Sequence, residues 1–141
     1  DINNGLTKSG HPTCAAVAVA NIQLMRETGI VETVGNDTGP YLQQCLNELS
    51  GHPLVGEARG VGMLGALELV ADKDSRRFFD KRGDAGVLCR DYANANGLVL
   101  RATQDTMLFS PPLIISRHEI DEMMDKTRKS LDQTAAALGH N

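Results

Sequence analysis

The sequence predicts one α+β domain with a small, mainly antiparallel sheet, its helices lying mostly on one face. Three observations carry this expectation. Helical periodicity fills both ends of the chain. Two glycine-punctuated apolar strand segments follow one another over residues 54–70. Two further short strands flank Thr103-Gln104-Asp105, a hairpin signature. At 141 residues the whole chain, 1–141, fits a single domain able to bury a core without disulfide or metal staples.

In chain order, residues 12–28 read as a helix with Pro12 in its first turn and Gly29 closing it. Its apolar residues run nearly all the way round, which predicts burial between layers. Val31, Val34, Tyr41, Leu42, Cys45, Leu46 and Leu49 recur at spacings of three and four, and Gly39-Pro40 predicts a kink or a division into two pieces. Glycines within residues 54–70 predict a bulge or the close approach of another backbone. A charged loop containing Arg76, Arg77, Lys81 and Arg82 follows and reads as solvated. Residues 84–95 form another helix, with Asn96-Gly97 at its end. Strands are expected over residues 98–102 and 106–110, and Pro111-Pro112 stops the second. Ser116 and Glu119 then make an S-x-x-E capping box opening a final helix lined by Ile120, Met123, Met124, Thr127, Leu131 and Leu138.

Composition narrows the function. A net charge of −4 with scattered basic residues argues against a nucleic-acid partner. No apolar run approaches the roughly 18 residues needed to cross a bilayer, and residues 1–4 have no signal-peptide character. Cys14, Cys45 and Cys89 are far apart with no CxxC, and the four histidines lack ligand spacing, so no metal site is expected. Reduced, core-packed thiols and a cytoplasmic location fit this pattern.

The chemistry-bearing candidates are few. Leu6-Thr7-Lys8-Ser9-Gly10-His11-Pro12 is a turn feeding a helix, able to present backbone N–H groups and a hydroxyl to an anion. His11 beside Pro12 reads as a hydrogen-bonded structural residue before an acid or base. Arg101 interrupts an apolar strand just before a tight turn. It either pairs with a nearby carboxylate (Asp105 is in reach), lies on the wet face of an edge strand, or forks a ligand carboxylate. Arg59-Gly60-Val61-Gly62 runs into a strand, whereas a dinucleotide fingerprint follows a strand and opens a helix; a structural bend with an Arg salt bridge is the better reading. Glu68 belongs on the face opposite Leu67 and Leu69. No catalytic triad, paired carboxylates or Walker loop can be assembled, so no catalytic residue is assigned.

The ordered segments nevertheless form a pattern. Thr7-x-Ser9-Gly10-His11-Pro12 before an Ala-rich helix resembles the T-Y-S-G-H-P segment of class III (omega) aminotransferases, which depend on pyridoxal 5′-phosphate. The likeness continues through Gly39-Pro40-Tyr41-Leu42, Val55-Gly56-Glu57-Ala58-Arg59-Gly60-Val61-Gly62-Met63 and Gly97-Leu98-Val99-Leu100-Arg101. It ends with Ser110-Pro111-Pro112-Leu113 and Glu119-Ile120-Asp121-Glu122. It implies the C-terminal small domain of a fold-type I enzyme that moves an amino group between an amine or amino acid and a 2-oxo acid. A decarboxylase or aminomutase on the same fold is the close relative of that reading.

The resemblance also implies roles for particular residues. Thr7 would reach the cofactor phosphate of the neighbouring subunit of a homodimer, Leu6 would add a backbone N–H, and Arg101 would bind the substrate carboxylate. The family usually has an aromatic residue where this chain has Lys8, which either attracts phosphate or points to solvent, the latter being favoured. The family's Schiff-base lysine, its pyridinium-partner Asp and its ring-stacking aromatic belong upstream of Thr7. The chain is therefore expected to be inactive alone. The reading of another class is a stand-alone, non-catalytic α+β binding or dimerisation module.

Overall fold

The computed structural model describes residues 10–140. Helix α1 spans Pro12–Glu27, followed by a single turn, α2 (Ile30–Thr33), a π-helical turn (Val34–Thr38) and α3 (Gly39–Leu49). Strands β1 (Val55–Val61) and β2 (Leu64–Leu69) come next, then α4 (Asp84–Ala95), β3 (Arg101–Thr103), β4 (Thr106–Phe109) and the long α5 (Arg117–Leu138). Among the described residues the strands form one antiparallel sheet in the order β1-β2-β4-β3. The predicted α+β class and element order hold.

Sequence and packing agree in most places. The division expected at Gly39-Pro40 is the junction between the π-helical turn and α3. Gly62, at φ +56°, turns β1 into β2, a backbone conformation that favours glycine. One residue in β1, Gly56, has no partner in the register with β2, the bulge its glycines predicted. Ser116 completes its capping box: the Glu119 N–H donates to Ser116 Oγ at 3.3 Å, and the Ser116 N–H donates to Glu119 Oε2 at 2.8 Å. The Ser116 N–H and hydroxyl, both donating to the carboxylate, hold the Glu119 carboxyl below its usual range.

Alternation along the strands gives the sheet two unlike faces. Leu67, Leu69, Met107 and Phe109 face α3, α4 and α5, and close the core with Leu42, Leu46, Leu49, Cys89, Ile120 and Leu131. Met123 and Met124 are buried there, as their spacing predicted. Gly65 lets Leu46 sit directly on β2, where a methyl group would collide with it. The opposite face carries Glu57, Arg59, Leu64, Ala66, Glu68, Leu108 and Arg101, and among the described residues no helix packs across it.

Four expectations are corrected. Helix α1 has no buried residue, with Val17 64% and Leu24 56% accessible and Met25 only half-buried; among the described residues no layer covers its apolar girdle. Cys14 on that helix is exposed and Cys45 only half-buried, leaving Cys89 as the core-packed thiol. Burial pushes the Cys89 thiol up to about 11. The strand expected over residues 98–102 begins at Arg101, because the Leu98 N–H is already committed to the Ala93 carbonyl that ends α4 and Val99 projects into solvent.

His52 closes the turn between α3 and β1. Its Nδ1 accepts the Leu54 N–H at 3.1 Å, so Nε2 carries the proton and faces Asp132 Oδ1 at 3.2 Å. Burial lowers the imidazole pKa, Asp132 opposes that shift, and Arg128 and Lys73 reinforce it. With the folded pKa below the unfolded one, the unfolded chain takes up the proton more readily. The stabilisation is complete above the unfolded pKa of about 6.5 and is lost as pH falls through the folded value. Urea denaturation is therefore expected to give a lower midpoint near pH 5 than near pH 7.5. The His52→Asn variant should narrow that gap, and an unchanged gap would contradict this role.

Candidate substrate-carboxylate site

The β3–β4 hairpin that presents Arg101 is pinned at its turn by Asp105. This carboxylate is buried, 1% accessible. Its Oδ1 accepts the N–H of Gly83 at 3.0 Å and of Gly86 at 3.1 Å, while Oδ2 lies 3.0 Å from the Gly83 nitrogen and 3.5 Å from Arg82 Nε. Gly83 is the N-cap of α4 and has no side chain to satisfy the first turn. Asp105 supplies from another element the anion that such a helix start favours. Its own carbonyl accepts the Leu69 N–H at 2.8 Å, tying the turn to the end of β2.

Arg82 completes the clamp. Its Nη2 donates to Gln104 Oε1 at 3.1 Å, and its guanidinium lies 3.9 Å from the centre of the Phe78 ring. Gln104 holds the turn with φ +52°. Gly86 is required here, since a methyl group would run into the Gln104 carbonyl.

Arg101 opens β3 and is exposed. Among the described residues its guanidinium makes no hydrogen bond or ion pair. Of the alternatives the sequence left open, pairing with Asp105 is therefore excluded: that carboxylate is committed to α4 and Arg82 on the covered side. Arg101 shares its face with a row set by register, Arg59 opposite Ala66, Ala66 opposite Leu108 and Leu108 opposite Arg101. Beside the row, Val61, Leu64, Ala66 and Leu108 line an open apolar trough of about 420 Å³. Arg59, at the far end, is neutralised by Glu68 at 2.9 Å and Glu57 at 3.5 Å, the structural salt bridge expected of it. Arg101 is thus an uncompensated cation on a strand of this face, free to take a bidentate acceptor.

The other sequence candidates fall as follows. Thr7, Leu6 and Lys8 lie outside the described residues. His11 is the N-cap of α1, its Nδ1 accepting the Cys14 N–H at 3.5 Å, the structural role favoured for it. Sequence reasoning missed Arg82 as a clamp. The available signal was a helix starting at Gly83-Asp84-Ala85-Gly86 with no capping side chain of its own. It also missed the buried Thr38 hydroxyl, which has no partner among the described residues and lines an apolar groove with Leu24, Met25, Leu113 and Ile114.

The described lysines are surface residues. Lys73 donates to the carbonyls of Ser50 and His52, and Lys126 pairs with Glu122 at 2.7 Å. Tyr41 is bonded to Asp121, which pushes its phenol up to about 12. Among the described residues no metal-ligand cluster occurs, and no helix is long and apolar enough to cross a membrane. The site therefore offers recognition of an anion.

An α+β domain with one open sheet face and a lone strand-borne arginine has well-defined relatives. The family model "Aminotransferase class-III" matches residues 2–131, and the chain belongs to that family. The chain is 55% identical over 135 residues to the putrescine–pyruvate aminotransferase of Pseudomonas aeruginosa, covering 96% of this chain and 29% of that protein. It is 35% identical to the diaminobutyrate–2-oxoglutarate transaminase of Halomonas elongata, covering 97% of this chain and 30% of the relative. In structure it is similar to the omega transaminase of Pseudomonas jessenii in complex with PMP, with TM-score 0.89 and 34% identity over 99% of this chain and 30% of that one. The chain thus spans under a third of the length of these proteins.

Replacing Asp105 by Ala leaves buried N–H groups unsatisfied at the start of α4, and is expected to lower unfolding free energy by about 3 kcal/mol. Gly86→Ala should also destabilise, through the clash with Gln104. Urea titration of both variants checks this; losses under about 0.5 kcal/mol, the range of ordinary surface changes, would contradict the clamp.

Proposed function

We propose that this chain is the C-terminal small domain of a class III aminotransferase, where it recognises the carboxylate of the 2-oxo acid and of the amino acid formed from it. The observation that carries this reading is the exposed, unpaired Arg101 at the start of a clamped strand. A guanidinium on a rigid element offers a carboxylate two parallel hydrogen bonds in fixed geometry. The apolar row beside it suits a short carbon chain. The 55% identity to a putrescine–pyruvate aminotransferase supports a diamine as amino donor and pyruvate as acceptor.

Pyridoxal 5′-phosphate, when bound, supplies the electron sink for this chemistry. The described residues fit a supporting share of its site: Lys73 and Lys126 are engaged elsewhere, and the resemblance assigns the lysine that carries the cofactor to a segment ahead of Thr7. Thr7 and the Leu6 N–H, just ahead of α1, are assigned to the cofactor phosphate of the partner subunit in a homodimer. A cytoplasmic enzyme fits the unpaired thiols of Cys14, Cys45 and Cys89. Without the cofactor lysine, the isolated chain is inactive.

In the full-length enzyme, Arg101→Ala removes a charge-assisted contact worth about 1.5–3 kcal/mol, so KM for pyruvate should rise roughly tenfold to a hundredfold. The half-reaction with putrescine, which has no carboxylate, should change by less than about threefold. Equal losses in both half-reactions would reject the assignment.

A further inference from the structure

We propose that Arg82 is a positioning residue for Arg101, setting the place of the carboxylate-binding guanidinium through the hairpin turn without touching substrate. The inference rests on the reading of Arg101 given above and extends it to a residue in a loop of otherwise solvated charges. β3 is three residues long, an edge strand paired on one side by β4. The chain entering it offers little restraint, since Val99 is 89% accessible. The place of Arg101 therefore depends on the β4 ladder and on what holds the turn three residues further on.

Arg82 is the side chain that holds that turn from outside. One guanidinium binds Gln104 Oε1, pairs with the buried Asp105 carboxylate and stacks on Phe78. The left-handed backbone of Gln104 is a conformation L-residues adopt at a cost, kept where surrounding contacts enforce it. Releasing Arg82 frees the turn to relax, and β3 shifts with it. A displacement of this kind changes carboxylate binding, because bidentate recognition depends on sub-ångström placement. A diamine makes no use of Arg101 and is indifferent to it.

The test uses the full-length, cofactor-loaded enzyme. Arg82→Met keeps an unbranched apolar stem and removes the guanidinium with its contacts to Gln104, Asp105 and Phe78. KM for pyruvate is expected to rise roughly tenfold, with kcat and the putrescine half-reaction within about twofold. Arg82→Lys should recover only part of the loss, because an ammonium lacks the planar fork that spans Gln104 and Asp105. Gln104→Gly tolerates the left-handed backbone, guarding against misfolding, and removes one Arg82 contact; it should raise KM for pyruvate in the same selective way. An unchanged KM for pyruvate, or equal loss in both half-reactions, overturns the proposal. Arg101→Ala, run beside these variants, separates the two levels. If it is selective and the Arg82 and Gln104 variants are not, positioning alone fails; if it is not selective, the carboxylate assignment fails as well.

Discussion

A buried carboxylate between three chain segments organises the half of the domain that bears the site. Asp105 sits in a hairpin turn, caps α4 through Gly83 and Gly86, meets the Arg82 guanidinium, and through its carbonyl holds the end of β2. Burying a charge is costly unless hydrogen bonds and a counter-charge compensate it, and here backbone N–H groups, a helix N-terminus and an arginine all do so. Its neighbours follow from that arrangement. Position 86 has to be glycine, and the turn has to adopt a left-handed residue.

The same sheet divides the molecule into a finished side and an unfinished one. Toward the helices, Leu67, Leu69, Met107 and Phe109 complete a continuous aliphatic core. Away from them, Leu64 at 58% accessible, Val61 at 75% and the length of α1 leave apolar area open to solvent. The chain spans 29% of its curated relative's length, and under the function proposed above this surface would meet the rest of the enzyme. Arg101 stands on this open side. The helix side holds the Asp105 clamp, and the open side holds Arg101 beside the neutralised Arg59.

Much of the fold was legible because its signals are local. Ser116 and Glu119 satisfy each other within one turn, Pro12 and Gly29 bracket a helix, and Leu42, Leu46 and Leu49 recur on one face. The site was legible only in part. Arg101 stood out as a cation in an apolar strand, but its relation to Asp105 is set by which face each residue occupies, and a turn hides that from spacing. Arg82 looked like one solvated charge among several because its partners Gln104 and Asp105 lie across the hairpin, the first of them 22 positions on in sequence. The burial expected for α1 failed for another reason: an apolar circumference states that a cover is needed, not that this chain provides it.

Arg101 is the proposed receptor for the substrate carboxylate. The most direct measurement is a crystal structure of the full-length enzyme with a 2-oxo acid or its amino acid product bound. The expected result is a bidentate contact from the Arg101 guanidinium to the carboxylate at about 2.7–2.9 Å, with Arg82 still bridging Gln104 and Asp105. A carboxylate held by another cation, with Arg101 left in solvent, would contradict it.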